Sequence, residues 1–353
     1  MTSRIRAGVV GTGLIGGSIG LALRLRGWHV TGLDLDEARA ARALELGALD
    51  AVGRDPEAEV TFVATPAGAA AGEAKRALAG GGIVTDVAGV KAAIVAAVGH
   101  SRFIGGHPMA GSEQEGVEGA DAGLFEGATW VLSPTDATDA NAYARLHSVV
   151  SSLGANVVAM PAERHDDLVA MVSHVPHLTA AALMTLASEA ASEQGTLLRL
   201  AAGGFRDMTR IAAGHPGIWP DICIDNQAGI ADTLDRLVEA LGRLRTMVAN
   251  GDRDGILGVL EQAREARLNL PSRVLHAEDL VEVRVPVPDR PRVLAEVTTL
   301  LGELNVNIYD LEIAHSAEGD RGVLVLAIDS GNADLARGAL LARGYRPAVR
   351  PLA

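Results

Sequence analysis

The chain holds a single cysteine, Cys223, among 353 residues. One thiol cannot close an internal disulfide, which predicts a reducing, cytoplasmic compartment. Aromatic residues are scarce, at 3%, while hydrophobic residues reach 48% with 41 Gly; the pattern is that of a globular protein whose cores are Ala, Leu and Val. Positive charge is also short. Lys and Arg total 31 against 44 Asp and Glu, a net charge of -13, which excludes a general nucleic-acid binder. A small anion needs just a local cationic pocket and stays allowed. Lysine is nearly missing: Lys75 and Lys91 are the two in the chain, so Lys91 in "DVAGVK" stands out. Long hydrophobic runs are missing as well. The uncharged stretch from Ala7 to Leu23 is glycine-broken and shorter than a comfortable span, so no membrane association is expected. The N-terminus enters a strand pattern at once, which predicts no signal peptide.

What is present begins with "RIRAGVVGTGLIGGSIGLALRLRGWHVTGLDLD". A strand-like run leads into Gly11, Gly13 and Gly16 in G-x-G-x-x-G spacing. A helix-like run and a second strand ending at Asp34 follow. The first Gly allows a tight turn, the second lets backbone approach a pyrophosphate, and the third lets helix and strand pack closely. The helix N-terminus, at Leu14 and Ile15, stabilises phosphate charge. Asp34 sits where an acid accepts from ribose hydroxyls. The cofactor is therefore expected to be NAD, with the 2′-phosphate of NADP disfavoured by Asp34; Arg39 and Arg42 leave the strictness of that preference open.

Further strand–helix alternation through "EVTFVATP", "GGIVTDVAGVKAAIVAAV", "RFIGGH", "ATWVLSP" and "NVVAMP" predicts an α/β, Rossmann-type doubly wound, mostly parallel sheet over residues 1–161. Thr65, Pro66, Asp86 and His107 each follow an apolar run, which brings them to the carboxyl rim where ligands bind. Thr65, Pro66 and Asp86 are expected on the cofactor, and His107 in "FIGGHPMAGSE" is a candidate acid or base.

Residues 162–276 change to helical periodicity, apolar on most sides, as in a bundle or subunit interface. Pro176 should kink or interrupt the first helix. The stretch "LRLAAGGFRDMTRIAAGHPGIWPDICIDNQ" reads as a polar, glycine-bearing connector, and two helices break at Asn250-Gly251. His174 and His177 share a helix face. A metal reading with His165 or Asp166 as third ligand exists, but spacing alone is weak and no metal is expected. Arg210 offers a guanidinium fork suited to a carboxylate.

Residues 277–353 have their own order: strand, helix, strand, strand, helix, strand, which is ferredoxin-like. On "DRPRVLAEVTTLLGELNVNI" this segment resembles an ACT domain, a regulatory module that binds amino acids at paired interfaces. That family usually carries Gly where this chain has Arg292, so whether an amino-acid effector binds stays open.

Together "VVGTGLIGGSIG", "DVAGVK", "FIGGHPMAGSE", "VSHVPH" and "GGFRDMTRIAAGHPGIWPDI" resemble the prephenate/arogenate dehydrogenases of tyrosine biosynthesis, over roughly residues 5–270. The resemblance implies NAD-dependent oxidative decarboxylation of a cyclohexadienol. It implies His107 as the base, Arg210 on the substrate carboxylate, His177 on substrate with His174 as its structural neighbour, and Ser112 in the substrate loop. It further implies Gly203 and Gly204 as a close-approach turn and Trp219 as a wall of the site. The family commonly has Ser where this chain has Gly89; three readings stay open, that Ser112 compensates, that a water does, or that the hydroxyl is dispensable. A homodimer is expected from the apolar helical part and the pairing habit of ACT domains. Prephenate and arogenate are not separated. Two alternatives stay open: a 3-hydroxy-acid dehydrogenase using Lys91, and a non-catalytic NAD- and amino-acid-sensing regulator.

Overall fold

The structure, a computed structural model, describes residues 4–112, 114, 116–193, 200–214, 216–269, 280–288, 290–315 and 321–351. It divides into two compact units, Met1–Gly251 and Asp252–Ala353. The boundary expected near residue 277 lies outside the described residues.

The first unit is organised by an eight-stranded sheet. Its strands are β1 (Arg6–Val10), β2 (His29–Leu33), β3 (Ala51–Val52), β4 (Val60–Val63), β5 (Ile83–Asp86), β6 (Phe103–Pro108), β7 (Thr129–Ser133) and β8 (Asn156–Ala159). They lie in the order β3-β2-β1-β4-β5-β6-β7-β8. The first six follow the Rossmann order, with the reversal between β1 and β4 where dinucleotides bind. Neighbours are parallel except β6 and β7, which run antiparallel. Helices α1 (Leu14–Leu25), α2 (Glu37–Glu45), α3 (Ala67–Ala77), α4 (Ala92–Val98) and α5 (Ala140–Ser152) cover the sheet. The strands are apolar runs because both faces are covered: β5 is buried at every position. The few aromatics are spent at one place. Trp130 packs tilted on Phe125, at 5.0 Å between ring centres, and edge-on to Phe62 at 6.2 Å.

The glycines of β6 have a steric cause. A Cβ on Gly106 would lie 2.6 Å from the carbonyl oxygen of Asp86 and from Thr85 Oγ1. Strands β5 and β6 can therefore close on each other just before His107.

The helical part continues the same unit. Helix α6 (Ala162–Val169) passes through a π-turn, Ala170–His174, into α7 (Val175–Glu193). Pro176 does not interrupt the helix as expected. It follows a wide π-turn, and that departure from regular α-helical geometry lies directly ahead of a residue that has no N–H to give. By length and hydropathy the stretch Ala162–Ala191 would pass for a membrane span, yet it carries buried His165, Asp166 and His174. The segment expected as a polar connector is largely helical. Helix α8 (Gly203–Thr209), turns of 3-10 helix at Arg210–Ala213 and Pro216–Ile218, and α9 (Trp219–Asp225) lead into α10 (Gln227–Asn250). Pro220 sits at the start of α9, a position that favours it. Gly251, left-handed at φ +65°, ends α10.

The second unit holds α11 (Arg253–Leu268) and a four-stranded sheet. Strands β9 (Leu280–Pro288), β10 (Ile308–His315), β11 (Arg321–Asp329) and β12 (Ala348–Pro351) alternate with α12 (Val293–Glu303) and α13 (Ala333–Ala342) in βαββαβ order. The sheet order is β10-β11-β9-β12, antiparallel throughout. Val283, Val285 and Val287 alternate inward along β9 onto Val297, Leu301 and Leu340. Arg292, at the start of α12, is left-handed at φ +76°. A side chain there costs about 1–2 kcal/mol relative to glycine.

Candidate active site

The dinucleotide cradle is built by sterics first. A Cβ on Gly16 would fall 1.9 Å from the carbonyl oxygen of Gly11, so glycine alone lets α1 start so close to β1. At Gly13 a Cβ would meet no protein atom within 4 Å; open space faces the chain there. Gly13 is the N-cap of α1 and supplies no side-chain cap. The first N–H groups of α1, at Leu14 and Ile15, thus stand beside that space, as an anion site requires. Asp34 directly follows β2 and is tied to the same loop. Its Oδ2 accepts from the Thr12 N–H at 2.8 Å and the Thr12 hydroxyl at 3.2 Å. On the adjoining strand end, Thr65 Oγ1 is buried without a hydrogen-bond partner. An uncapped helix start, an empty glycine approach, an anchored acid and an orphaned hydroxyl all fit a dinucleotide.

Asp86 does not belong to that set. It is fully buried, its Oδ2 paired with Lys91 Nζ and the Ala88 N–H, its Oδ1 accepting from the Gly106 N–H at 3.2 Å. Its work is to hold β6 in place one residue before His107. Lys91 is equally buried, and burial drives its ammonium pKa below the ordinary lysine range, against the raising effect of Asp86. A lysine so enclosed cannot serve as an acid or base toward an outside substrate, which removes the 3-hydroxy-acid alternative.

His107 closes β6. Its Nδ1 lies 2.8 Å from His165 Nε2, the rings meeting edge to face at 5.0 Å. His165 Nδ1 lies 2.8 Å from Asp166 Oδ1. Asp166 also accepts from the N–H groups of Lys91 and Ala92, each at 2.8 Å, and so caps α4 from α6. On the other side of His107 is Gly89. A Cβ at Gly89 would stand 4.0 Å from His107 Nε2 and Cε1. Burial, then the nearby His165, Lys91 and His174, push the His107 imidazole well below its ordinary pKa. It is neutral at physiological pH, as a base must be.

A chain of contacts runs on from Asp166. Asn226 Nδ2 donates to the Asp166 carbonyl at 2.8 Å and lies 3.2 Å from His174 Nδ1. Burial lowers His174 to about 4. His174 stands edge-on to Trp219 at 6.3 Å, and His177 stacks on the same indole at 3.6 Å with 14° between planes. Burial depresses the His177 pKa as well. Beyond it, Gly214 ends the turn that Arg210 begins; a Cβ there would lie 3.8 Å from His177 Cε1. His174, His177, Trp219 and the Arg210 turn thus form one neighbourhood, joined to His107 through Asn226 and Asp166.

Three expected residues stand apart. Ser112 is exposed, and its hydroxyl accepts from the Gln114 N–H at 3.1 Å, a local turn rather than a partner for His107. Gly203 and Gly204 are exposed, and among the described residues nothing lies within 4 Å of a Cβ on either, so none of them makes the close approach expected there. Among the described residues no group of three His, Cys, Asp or Glu could hold a metal ion. Thr12 and Asn226 had no signal in the sequence. His165 and Asp166 were visible as types but had no spacing linking them to His107, 58 residues away in the chain.

Comparison with known proteins finds relatives along most of the chain. Residues 19–159 match the family description "Prephenate dehydrogenase, nucleotide-binding domain", and residues 161–262 match "Prephenate dehydrogenase, dimerization domain". The chain is 33% identical over 340 residues to a prephenate dehydrogenase of Bacillus subtilis, covering 91% of each chain. It is 32% identical to a cyclohexadienyl dehydrogenase of Zymomonas mobilis, covering 74% of this chain and 94% of that one. Among solved structures, Synechocystis arogenate dehydrogenase superposes with TM-score 0.68 at 32% identity, covering 74% of this chain and 99% of that one. The prephenate dehydrogenase of A. aeolicus, in complex with hydroxyphenyl propionate and NAD+, gives TM-score 0.72 at 28% identity, covering 76% and 99%.

Proposed function

The chain belongs to the prephenate dehydrogenase family, and from that premise we propose that it carries out the NAD-dependent oxidative decarboxylation of prephenate or arogenate in tyrosine biosynthesis. The observation that carries the reading is His107: a neutral imidazole at the carboxyl end of β6, held at Nδ1 and facing the open Gly89 position with Nε2. His107 takes the proton of the substrate's ring hydroxyl. NAD, when bound, supplies the hydride acceptor for the hydrogen on the same carbon. The bond from ring to carboxylate then breaks, CO2 leaves, and its electron pair completes the aromatic ring. The Arg210 guanidinium binds a substrate carboxylate, and Trp219 with His177 forms a wall of the pocket. Gly11, Gly13, Gly16, Leu14, Ile15, Asp34, Thr65 and Pro66 hold the dinucleotide, and Asp34 favours NAD over NADP. Ser112, Gly203 and Gly204 are exposed, and their part in substrate binding rests on the family resemblance alone.

The domain reading is 1–161 for the cofactor, 162–276 for substrate and dimerisation, and 277–353 for an ACT-like regulatory module. An apolar hollow of about 660 Å³ along α7 and α10, lined by Met171, Val175, Leu183, Met208, Ile211 and Leu237, supports a homodimer built on the helical part. The lone thiol of Cys223 supports a cytoplasmic setting.

Side-by-side kinetics on prephenate and arogenate with NAD test the function. Turnover of at least one is expected; none on either would return the chain to the reading of a non-catalytic sensor. Arg210→Ala should raise KM roughly 10- to 100-fold, the worth of a lost charge-assisted contact, and an unchanged KM would remove Arg210 from the carboxylate site.

A further inference from the structure

We infer that His165 and Asp166 are positioning residues that fix which nitrogen of His107 is the base, an office performed here without a hydroxyl at position 89. The inference rests on the proposed function, since it concerns the base of that reaction.

The argument is one of donors and acceptors. Asp166 accepts the backbone N–H of Lys91 at Oδ1 and of Ala92 at Oδ2, and its Oδ1 also lies 2.8 Å from His165 Nδ1; a carboxylate accepts hydrogen bonds and has none to give. Toward His165 it is therefore an acceptor, and His165 must carry its proton at Nδ1. A neutral imidazole has one donor and one acceptor nitrogen, so His165 Nε2 is left as a lone pair. That lone pair, 2.8 Å from His107 Nδ1, compels His107 to donate there. The remaining nitrogen, His107 Nε2, then holds a free lone pair on the side of Gly89, where space is open. The backbone of α4 anchors one end of the chain and β6 the other. Both histidine rings are thus locked in tautomer and in orientation, which is the task an acid performs in a catalytic triad. The arrangement needs no group on the Nε2 side, so glycine at position 89 costs the base nothing in orientation.

Two measurements test this. In enzyme selectively labelled with 15N-histidine and saturated with NAD, His107 is assigned by the signals lost in His107→Asn. Its neutral form should be protonated at Nδ1 and bare at Nε2; a proton on Nε2 would overturn the inference even if the wild-type enzyme turns over normally. Failure of the function itself shows separately, as wild-type enzyme without turnover. The second measurement compares His165→Gln, whose side-chain oxygen can still accept from His107, with His165→Leu, which cannot. His165→Leu should lose at least about tenfold in kcat with KM little changed, the range of general-base effects, and His165→Gln should recover most of it. Equal loss in both variants, or a loss confined to KM, would overturn it. NAD affinity in each variant reports whether the cofactor domain is folded, and the wild-type nitrogen signals decide the matter if a variant does not fold.

Discussion

Gly89 shows how one residue is understood through its neighbours. Its missing side chain faces the His107 ring, with Nε2 and Cε1 both 4.0 Å away and no other described residue within that distance. Gly89→Ser should therefore fold normally. Because His107 is already held from its Nδ1 side, kcat should stay within about threefold of wild type, well under the 1.4 kcal/mol that corresponds to tenfold. Steady-state kinetics decide; a gain of tenfold or more would mean that His107 lacks orientation in the natural chain. The residues that the sequence displayed best were those with a local pattern: Gly11, Gly13, Gly16 and Asp34 by spacing, His107 by its place after a strand. Asp86 shared that place and was misread as a cofactor residue. An acid at a strand end looks the same whether it faces ligand or a buried lysine, and the partner Lys91 is recognisable just from the folded chain. The His165–Asp166 pair was hidden for the same reason: long-range hydrogen bonds leave no periodicity.

Among elements, the junction of β5, β6, α4 and α6 is where the cofactor domain and the helical part meet. It is held by a buried ion pair, Lys91 with Asp86, and by Asp166 capping α4. Removing one partner of a buried pair strands the other charge, which costs about 3–5 kcal/mol. Lys91→Met should lose that much in denaturant unfolding, and since Asp86 also holds the Gly106 N–H, turnover should fall with it. A variant as stable as wild type would show that the pair contributes little. Strands β1, β4, β5 and β6 were readable as apolar runs ending in turn residues. The antiparallel entry of β7 was not, because a strand's direction depends on its neighbours and not on its own residues. The stretch from 200 to 226 misled for a different reason: its short helices α8 and α9 are rich in Gly and Pro at their starts, where those residues are tolerated but look like loop.

For the whole molecule, the histidines set the response to acid. His107, His174 and His177 all have folded pKa values below the ordinary 6.5, with His174 at about 4. The unfolded chain takes up protons as pH falls through about 6.5, and the folded chain resists until each depressed pKa is reached. Stability is thus full above about pH 6.5 and is lost progressively from there toward pH 4. Chemical denaturation across that window should show a falling unfolding free energy, less steep in His174→Gln; a flat profile would contradict the burial of these rings as neutral groups. The composition allowed this scale to be bounded early: acidic, thiol-poor, with sparse cations. The break that the sequence shows at Asn250-Gly251 between two helices coincides with the limit between the two compact units.

The most direct test follows carbon dioxide and NADH in the same reaction, in wild type and in His107→Asn. The wild-type enzyme should release CO2 in step with NADH. His107→Asn should keep NAD binding and lose about 10²- to 10⁴-fold in turnover, the usual contribution of a general base. NADH formed without CO2, or near-normal turnover in His107→Asn, would contradict the account.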